Sequence, residues 1–389
     1  MMFRKYILFI WLIIASTGVD AISVNVRVGA ERFGEYGGLL VGKNVGIVAN
    51  QTSRVGETCT VDFLLDKGVK VVRVFCPEHG FRGTADAGAA VGDYVDESTG
   101  LPVISLYGKK KKPLPADLQG IDVMIFDIQD VGVRFYTYLS TLHLVMEACA
   151  EMEIPLLVLD RPNPNAFYVD GPVLKKECSS FVGMHPVPVV YGMTIGEYAR
   201  MINGEGWLKG GIACALTVIP CTGWERQQVF ALPVKPSPNL PDSVSVLLYP
   251  STCFFEGTVV NEGRGTRQPF QVFGHPDLKD MPYEYVPRAI PGMCMKPKCE
   301  GLACHGMDLR KDAGVILSLK RLNLEWLLKA YQAYTGDKPF FNSFFDKLSG
   351  DPRVREAIMA GKTEREIRAL WKEDVEQFER VRQKYLIYD

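Results

Sequence analysis

Residues 122–165 read DVMIFDIQDVGVRFYTYLSTLHLVMEACAEMEIPLLVLDRPNPN. An apolar run flanked by acids (122–128) comes first. Apolar side chains then recur at helical spacing over 138–152, among them Leu139, Leu142, Leu144, Val145 and Met146. A second apolar run, 154–159, closes the stretch. Strands without polar alternation, joined through a helix, belong to a parallel sheet covered on both faces. Upstream, 45–50 (VGIVAN), 70–75 (KVVRVF) and 101–106 repeat the strand pattern, and 61–67 reads as a helix between two of them. The expectation is an α/β fold with a doubly wound, mostly parallel sheet.

Beyond it, 194–203 reads as a helix. Pro233, Pro236, Pro238 and Pro241 punctuate an ordered loop or domain junction. A second unit starts at 244–248. Residues 254–265 form a polar, Gly-punctuated loop, 314–319 a strand, and 323–334 and 363–385 helices. The last opens on a capping box, Thr363 with Glu366. The run Lys109–Lys112 is read as a solvated loop, with attraction of an anionic polymer as the sharper alternative.

Composition narrows the function. Lys+Arg is 44 and Asp+Glu is 45, so the strong basic excess of a nucleic-acid-coating protein is missing. With 47% apolar and 23% charged residues, the 389-residue chain can bury a large core, and collagen-like, mucin-like or disordered classes are excluded. Residues 1–21 read as a secretory signal peptide: Arg4 and Lys5, an apolar run over 6–14, small residues, then Val19-Asp20-Ala21. That run is short of the about 20 residues of a membrane span. The protein is expected to be exported, periplasmic or secreted, with no stable membrane insertion after signal removal. Disulfide candidates are Cys294, Cys299 and Cys304. With His305 they also admit a zinc reading, although their spacing does not match paired zinc knuckles.

In doubly wound sheets, ligands bind beyond the carboxyl ends of the strands. The residues there are Asn50-Gln51-Thr52-Ser53, Pro77-Glu78-His79-Gly80, Asp127 with Gln129 and Asp130, and Asp160-Arg161-Pro162-Asn163-Pro164-Asn165. No G-x-G-x-x-G, Walker A, H-E-x-x-H or G-x-S-x-G is present, so no cofactor and no metal is expected, and a serine hydrolase has no support. An acid beside apolar Phe75, Cys76 and Phe81 suits glycoside hydrolysis, which needs a protonated carboxyl group. Glu78 and His79 meet that description; a surface turn with a structural His is the competing reading. Asp127, Asp130, Arg134, Tyr136 and Tyr138 form a second cluster, with structural pairing of Asp127 and Arg134 as its alternative. Glu256, Asn261, Glu262 and Arg264 form a third, among glycines that permit close backbone approach. A hairpin with exposed charges is its alternative. His185 lies in a proline-flanked loop and is a further contact candidate.

These motifs occur in one order: NVGIVANQTS, FCPEHGFRG, DIQDVGVRFYTY, LDRPNPN, GMTIGEYARMIN, KPSPNLP and FFEGTVVNEGRGT. Together, over roughly residues 38 to 270, they resemble the exo-β-N-acetylmuramidase (NamZ-type) family. The resemblance implies a Rossmann-like N-terminal domain (22–241), a smaller α+β C-terminal domain (242–389), and an active site in the cleft between them. It implies release of N-acetylmuramic acid from the non-reducing end of peptidoglycan fragments, which would be the protein's partners, with no nucleic acid. Glu78 becomes the leading acid/base, with His79 beside it, and Glu262 or Glu256 the second carboxylate. Asp127 and Asp130 are rivals. The lactyl carboxylate of the substrate calls for a cation, preferably a bidentate Arg, and Arg82, Arg134, Arg161 and Arg264 lie in the motifs. Two other classes compete: a non-catalytic peptidoglycan-fragment-binding protein on the same fold, and an esterase or amidase.

Overall fold

The computed structural model describes residues 26–78, 80–82 and 92–389. The expected signal segment and His79 lie outside them. The strands are β1 (Asn44–Ala49), β2 (Arg54–Val55), β3 (Thr58–Cys59), β4 (Lys70–Cys76), β5 (Tyr94–Val95), β6 (Pro102–Ser105), β7 (Val123–Asp127), β8 (Leu156–Leu159), β9 (Leu216–Ile219), β10 (Val272–His275), β11 (Tyr283–Tyr285) and β12 (Cys304–Asp308). The main sheet has the order β5-β6-β4-β1-β7-β8-β9. All its strands run parallel except the short edge strand β5. The six parallel strands therefore follow the Rossmann order, third-second-first-fourth-fifth-sixth. The order reverses between β1 and β7.

Side-chain alternation splits the sheet into two cores. Val45, Ile47, Val123, Ile125, Leu157 and Leu159 face one way, into a cluster with Tyr36 and Leu64. Val48, Met124, Phe126, Leu156 and Val158 face the other. Because both faces are covered, the strands show no polar alternation. The second core is shared with the chain's C-terminal half. Leu142 and Val145 of helix Tyr138–Glu151 join Leu248, Phe254, Trp326 and Phe378 in one continuous cluster.

The C-terminal half opens with helix Ser243–Thr252, capped by the Asp242 carboxylate on the Ser245 amide at 2.8 Å. It carries the antiparallel sheet β10-β12-β11 and a set of short helices. Residues 314–319, expected as a strand, lie in helix Ala313–Leu319. The run GVILSL is apolar without alternation, and a short apolar run does not by itself separate strand from helix. The expected helix 363–385 is two, Glu364–Ala369 and Lys372–Arg382. They break where Trp371 turns inward, its indole N–H donating to Asp170 at 3.0 Å.

Candidate active site

A cleft of about 500 Å³ opens beyond the carboxyl ends of β4 and β6 and is closed from the opposite side by the C-terminal half. Its volume lies within the range of small-ligand sites. Glu78, two residues past β4, is half-buried in it. Gly80, at φ +74°, turns the chain two residues after that acid, its amide donating to the Pro77 carbonyl at 3.3 Å. Tyr107, two residues past β6, lines the cleft beside Glu78, close enough for the two side chains to interact. Burial and the charge of Glu78 together push the Tyr107 phenol up to about 12, so it stays a donor at working pH. Tyr136 and Tyr138 line the floor at the start of helix Tyr138–Glu151. Each is held: Tyr136 donates to the Pro236 carbonyl at 2.8 Å, and Tyr138 accepts from the Asn50 amide at 2.9 Å.

From the other side come Glu256 and Arg264. The Arg264 Nη2 donates to Glu256 Oε1 at 2.6 Å, and its Nε lies 3.3 Å from Glu262 Oε1. The guanidinium stands over the Phe270 ring, 5.1 Å from its centroid. Burial works against its charge, but Glu256 and Glu262 outweigh that and hold its pKa above the ordinary arginine value. Glu262 is only 2% exposed and does not line the cleft; the Lys298 ammonium pairs with it at 2.8 Å. The same ammonium donates to the carbonyls of Phe255 and Val260, each at 2.6 Å. Asn261 fixes the turn, donating to the Arg264 and Lys298 carbonyls at 3.0 and 2.8 Å. Of the two candidate second carboxylates, Glu256 therefore faces the cleft and Glu262 braces the arginine beside it.

The remaining candidates sit elsewhere. Asp127 is fully buried and takes a two-pronged bond from Arg161, at 2.6 and 3.0 Å. Asp130 accepts from the Gly132 amide at 2.8 Å and from the Tyr191 hydroxyl; burial lifts its carboxyl to about 6. Arg134 does not pair with Asp127. It donates to four carbonyls, Pro172 at 2.7 Å, Val187 at 2.8 Å, Leu348 at 2.9 Å and Ser349 at 2.7 Å. It so ties the two halves together, and a Cβ at Gly350 (φ +78°) would stand 2.4 Å from its Nη2. Asn163 donates to the Met193 carbonyl at 2.7 Å. Arg82 pairs with Asp96 at 2.8 Å and Asp62 at 3.3 Å, outside the cleft. The ten cysteines are free; the Cys299 and Cys304 thiols donate to the Val259 and Leu302 carbonyls instead of forming a bridge. Among the described residues, no three His, Cys, Asp or Glu side chains form a group able to hold a metal. Tyr107 and Lys111 line the cleft although neither stands among the candidate motifs. The strand-end rule, applied to 101–106, would have picked out Tyr107.

His185 is also internal. It is 3% exposed, bonded to Tyr198 Oη at 3.0 Å and His143 Nδ1 at 2.9 Å, and stacked on Trp207. Burial, helped by His143, holds its imidazole down at about 3 from an ordinary value of 6.5. A depressed histidine stabilises the fold fully above its unfolded pKa and loses that contribution as pH falls towards the folded one. His185→Gln is therefore expected to be destabilised most at neutral pH. Its gap from the wild type should shrink by roughly 1–2 kcal/mol between pH 6.5 and pH 5. Urea midpoints at the two pH values measure this, and a gap that does not change contradicts it.

Two family models cover the chain: exo-β-N-acetylmuramidase NamZ, N-terminal, over residues 45–244, and its C-terminal counterpart over 247–388. The peptidoglycan β-N-acetylmuramidase NamZ of Bacillus subtilis (strain 168) is 40% identical over 372 residues, spanning 91% of this chain and 89% of that protein. A crystal structure of a DUF1343 family protein from Bacteroides fragilis superposes with a TM-score of 0.87 at 44% identity, covering 94% of this chain and 99% of that one. A second DUF1343 structure from the same organism gives 0.78 at 29%, covering 94% and 100%.

Proposed function

The chain belongs to the exo-β-N-acetylmuramidase NamZ family, and from that premise we propose that this glycosidase releases N-acetylmuramic acid from the non-reducing ends of peptidoglycan fragments, with Glu78 as the acid/base. The observation that carries the chemistry is the pairing across the cleft. A half-buried carboxyl beside a phenol, Glu78 with Tyr107, shares the cleft with a carboxylate–guanidinium pair, Glu256 with Arg264. Most glycoside hydrolases use two carboxyl groups flanking the scissile bond. Glu78 supplies the proton to the leaving sugar. Glu256, anchored by Arg264, serves the developing positive charge at the anomeric carbon. Tyr249 and Phe270 give the sugar an apolar wall. His79 adjoins the acid in sequence.

We assign Arg134, Arg161, Asp127, Asp130, Asn163 and His185 to holding the fold, because each is buried and hydrogen-bonded inside the protein. We divide the chain at residue 242, where the Asp242 cap opens the first helix of the C-terminal half. The signal-like pattern of residues 1–21 supports export to the periplasm or the medium, with scavenging of wall fragments as the role.

The test compares two disaccharides, N-acetylmuramyl-β-1,4-N-acetylglucosamine and the reversed order, with released monosaccharides followed by mass. Release from the first alone is the expected result. Release from the second alone would make the enzyme a glucosaminidase, and release from neither would leave a binding protein.

A further inference from the structure

We propose that Lys111 is the cation that receives the lactyl carboxylate of N-acetylmuramic acid and so sets the preference for muramic over glucosamine residues. This rests on the exo-muramidase reading and deepens it. The two sugars differ by one O-lactyl group and its negative charge, so a selective cleft must present a positive charge that is not already satisfied.

The arginines do not provide one. Arg134 is buried on carbonyls, Arg161 is closed on Asp127, and Arg82 is held by Asp96 and Asp62 outside the cleft. Arg264 reaches the cleft, but two carboxylates, Glu256 and Glu262, already surround it. A third would meet their repulsion.

The lysine run resolves differently residue by residue. Lys110 is taken by Asp93 at 3.0 Å and Asp117 at 3.4 Å. Lys112 is taken by Glu147 at 2.5 Å and Glu151 at 2.8 Å. Lys111, between them, lines the cleft with Glu78 and Tyr107, and its side chain is exposed. Among the described residues it forms no ion pair. Its ammonium lies 4.3 Å from the centroid of the Phe181 ring, which also lines the cleft. The ring's backbone is fixed in turn, because Ser140 donates to the Phe181 carbonyl at 2.7 Å. A ring face orients an ammonium without neutralising it. The group is thus positioned and still able to bind an anion. What reads in sequence as a solvated basic run contains two structural cations and one aimed at the ligand.

The experiment uses the full mature enzyme and two forms of the muramic disaccharide, the free lactyl acid and its uncharged methyl ester. Wild type is expected to prefer the acid on the order of 10- to 100-fold in kcat/KM, the worth of a charge-assisted contact. Lys111→Gln is expected to lose that preference through KM, handling acid and ester alike, and Lys111→Arg to recover most of it. Added salt should raise KM for the acid in wild type and not in Lys111→Gln. Lys111→Gln that still prefers the acid by the wild-type margin overturns the assignment while leaving the hydrolase reading intact. Failure of wild type to release sugar from either form overturns the hydrolase reading and this assignment with it.

Discussion

Glu78→Gln is expected to lower kcat on the muramic disaccharide on the order of 10²- to 10⁴-fold, the usual worth of a positioned general acid. Binding should survive. Glutamine keeps the shape of the side chain and a carbonyl oxygen beside the Tyr107 hydroxyl, so the cleft wall is preserved. Its amide protons are not acidic enough to be given to a departing sugar. Steady-state kinetics with calorimetric titration of the intact disaccharide separates the two. A parallel loss of binding and turnover would make Glu78 a ligand contact, and an unchanged kcat would remove it from the reaction.

The second large effect concerns stability. Arg161→Met is expected to destabilise the fold by about 3–5 kcal/mol, because it leaves the carboxylate of Asp127 buried without its counter-charge. Asp127 is fully buried at the end of β7, and Arg161 follows β8 with 5% exposure. Putting Leu at position 127 in the same protein should recover much of the loss, since a buried pair replaced by apolar side chains is often neutral. Denaturant midpoints of the single and double variants measure it. If Arg161→Met were as stable as wild type and instead bound muramic substrate poorly, the residue would belong to the site and not to the core.

These two residues also show where reading the sequence stops. The sheet was legible because burial on both faces strips strands of polar alternation, as in 122–128. The cleft's location followed, since a doubly wound sheet fixes where loops gather. The same strand-end rule put Glu78 and Arg161 on one footing, although one faces the cleft and the other closes on a neighbouring strand's carboxylate. Nothing local distinguishes them: the pairing of Arg161 with Asp127 spans 34 positions, and the contacts of Arg134 with Leu348 and Ser349 span 214 and 215. Polarity near a strand end marks an engaged side chain, not its partner. Glu262 and Glu256 differ by the same kind of distant fact, the Lys298 ammonium that claims one and not the other. In the C-terminal half the elements are short and their packing is set by contacts with the sheet domain. There GVILSL gave no period to read, and Trp371 broke a helix that propensity alone would continue.

The Glu78 carboxyl is expected to protonate the leaving sugar. This is tested most directly by giving Glu78→Gln two substrates with the same muramic unit, the natural disaccharide and a 2,4-dinitrophenyl glycoside whose leaving group needs no proton. The expected result is a loss on the order of 10²- to 10⁴-fold on the disaccharide and no more than roughly tenfold on the dinitrophenyl glycoside. An equal loss on both would contradict the claim and move the proton donor to another residue of the cleft.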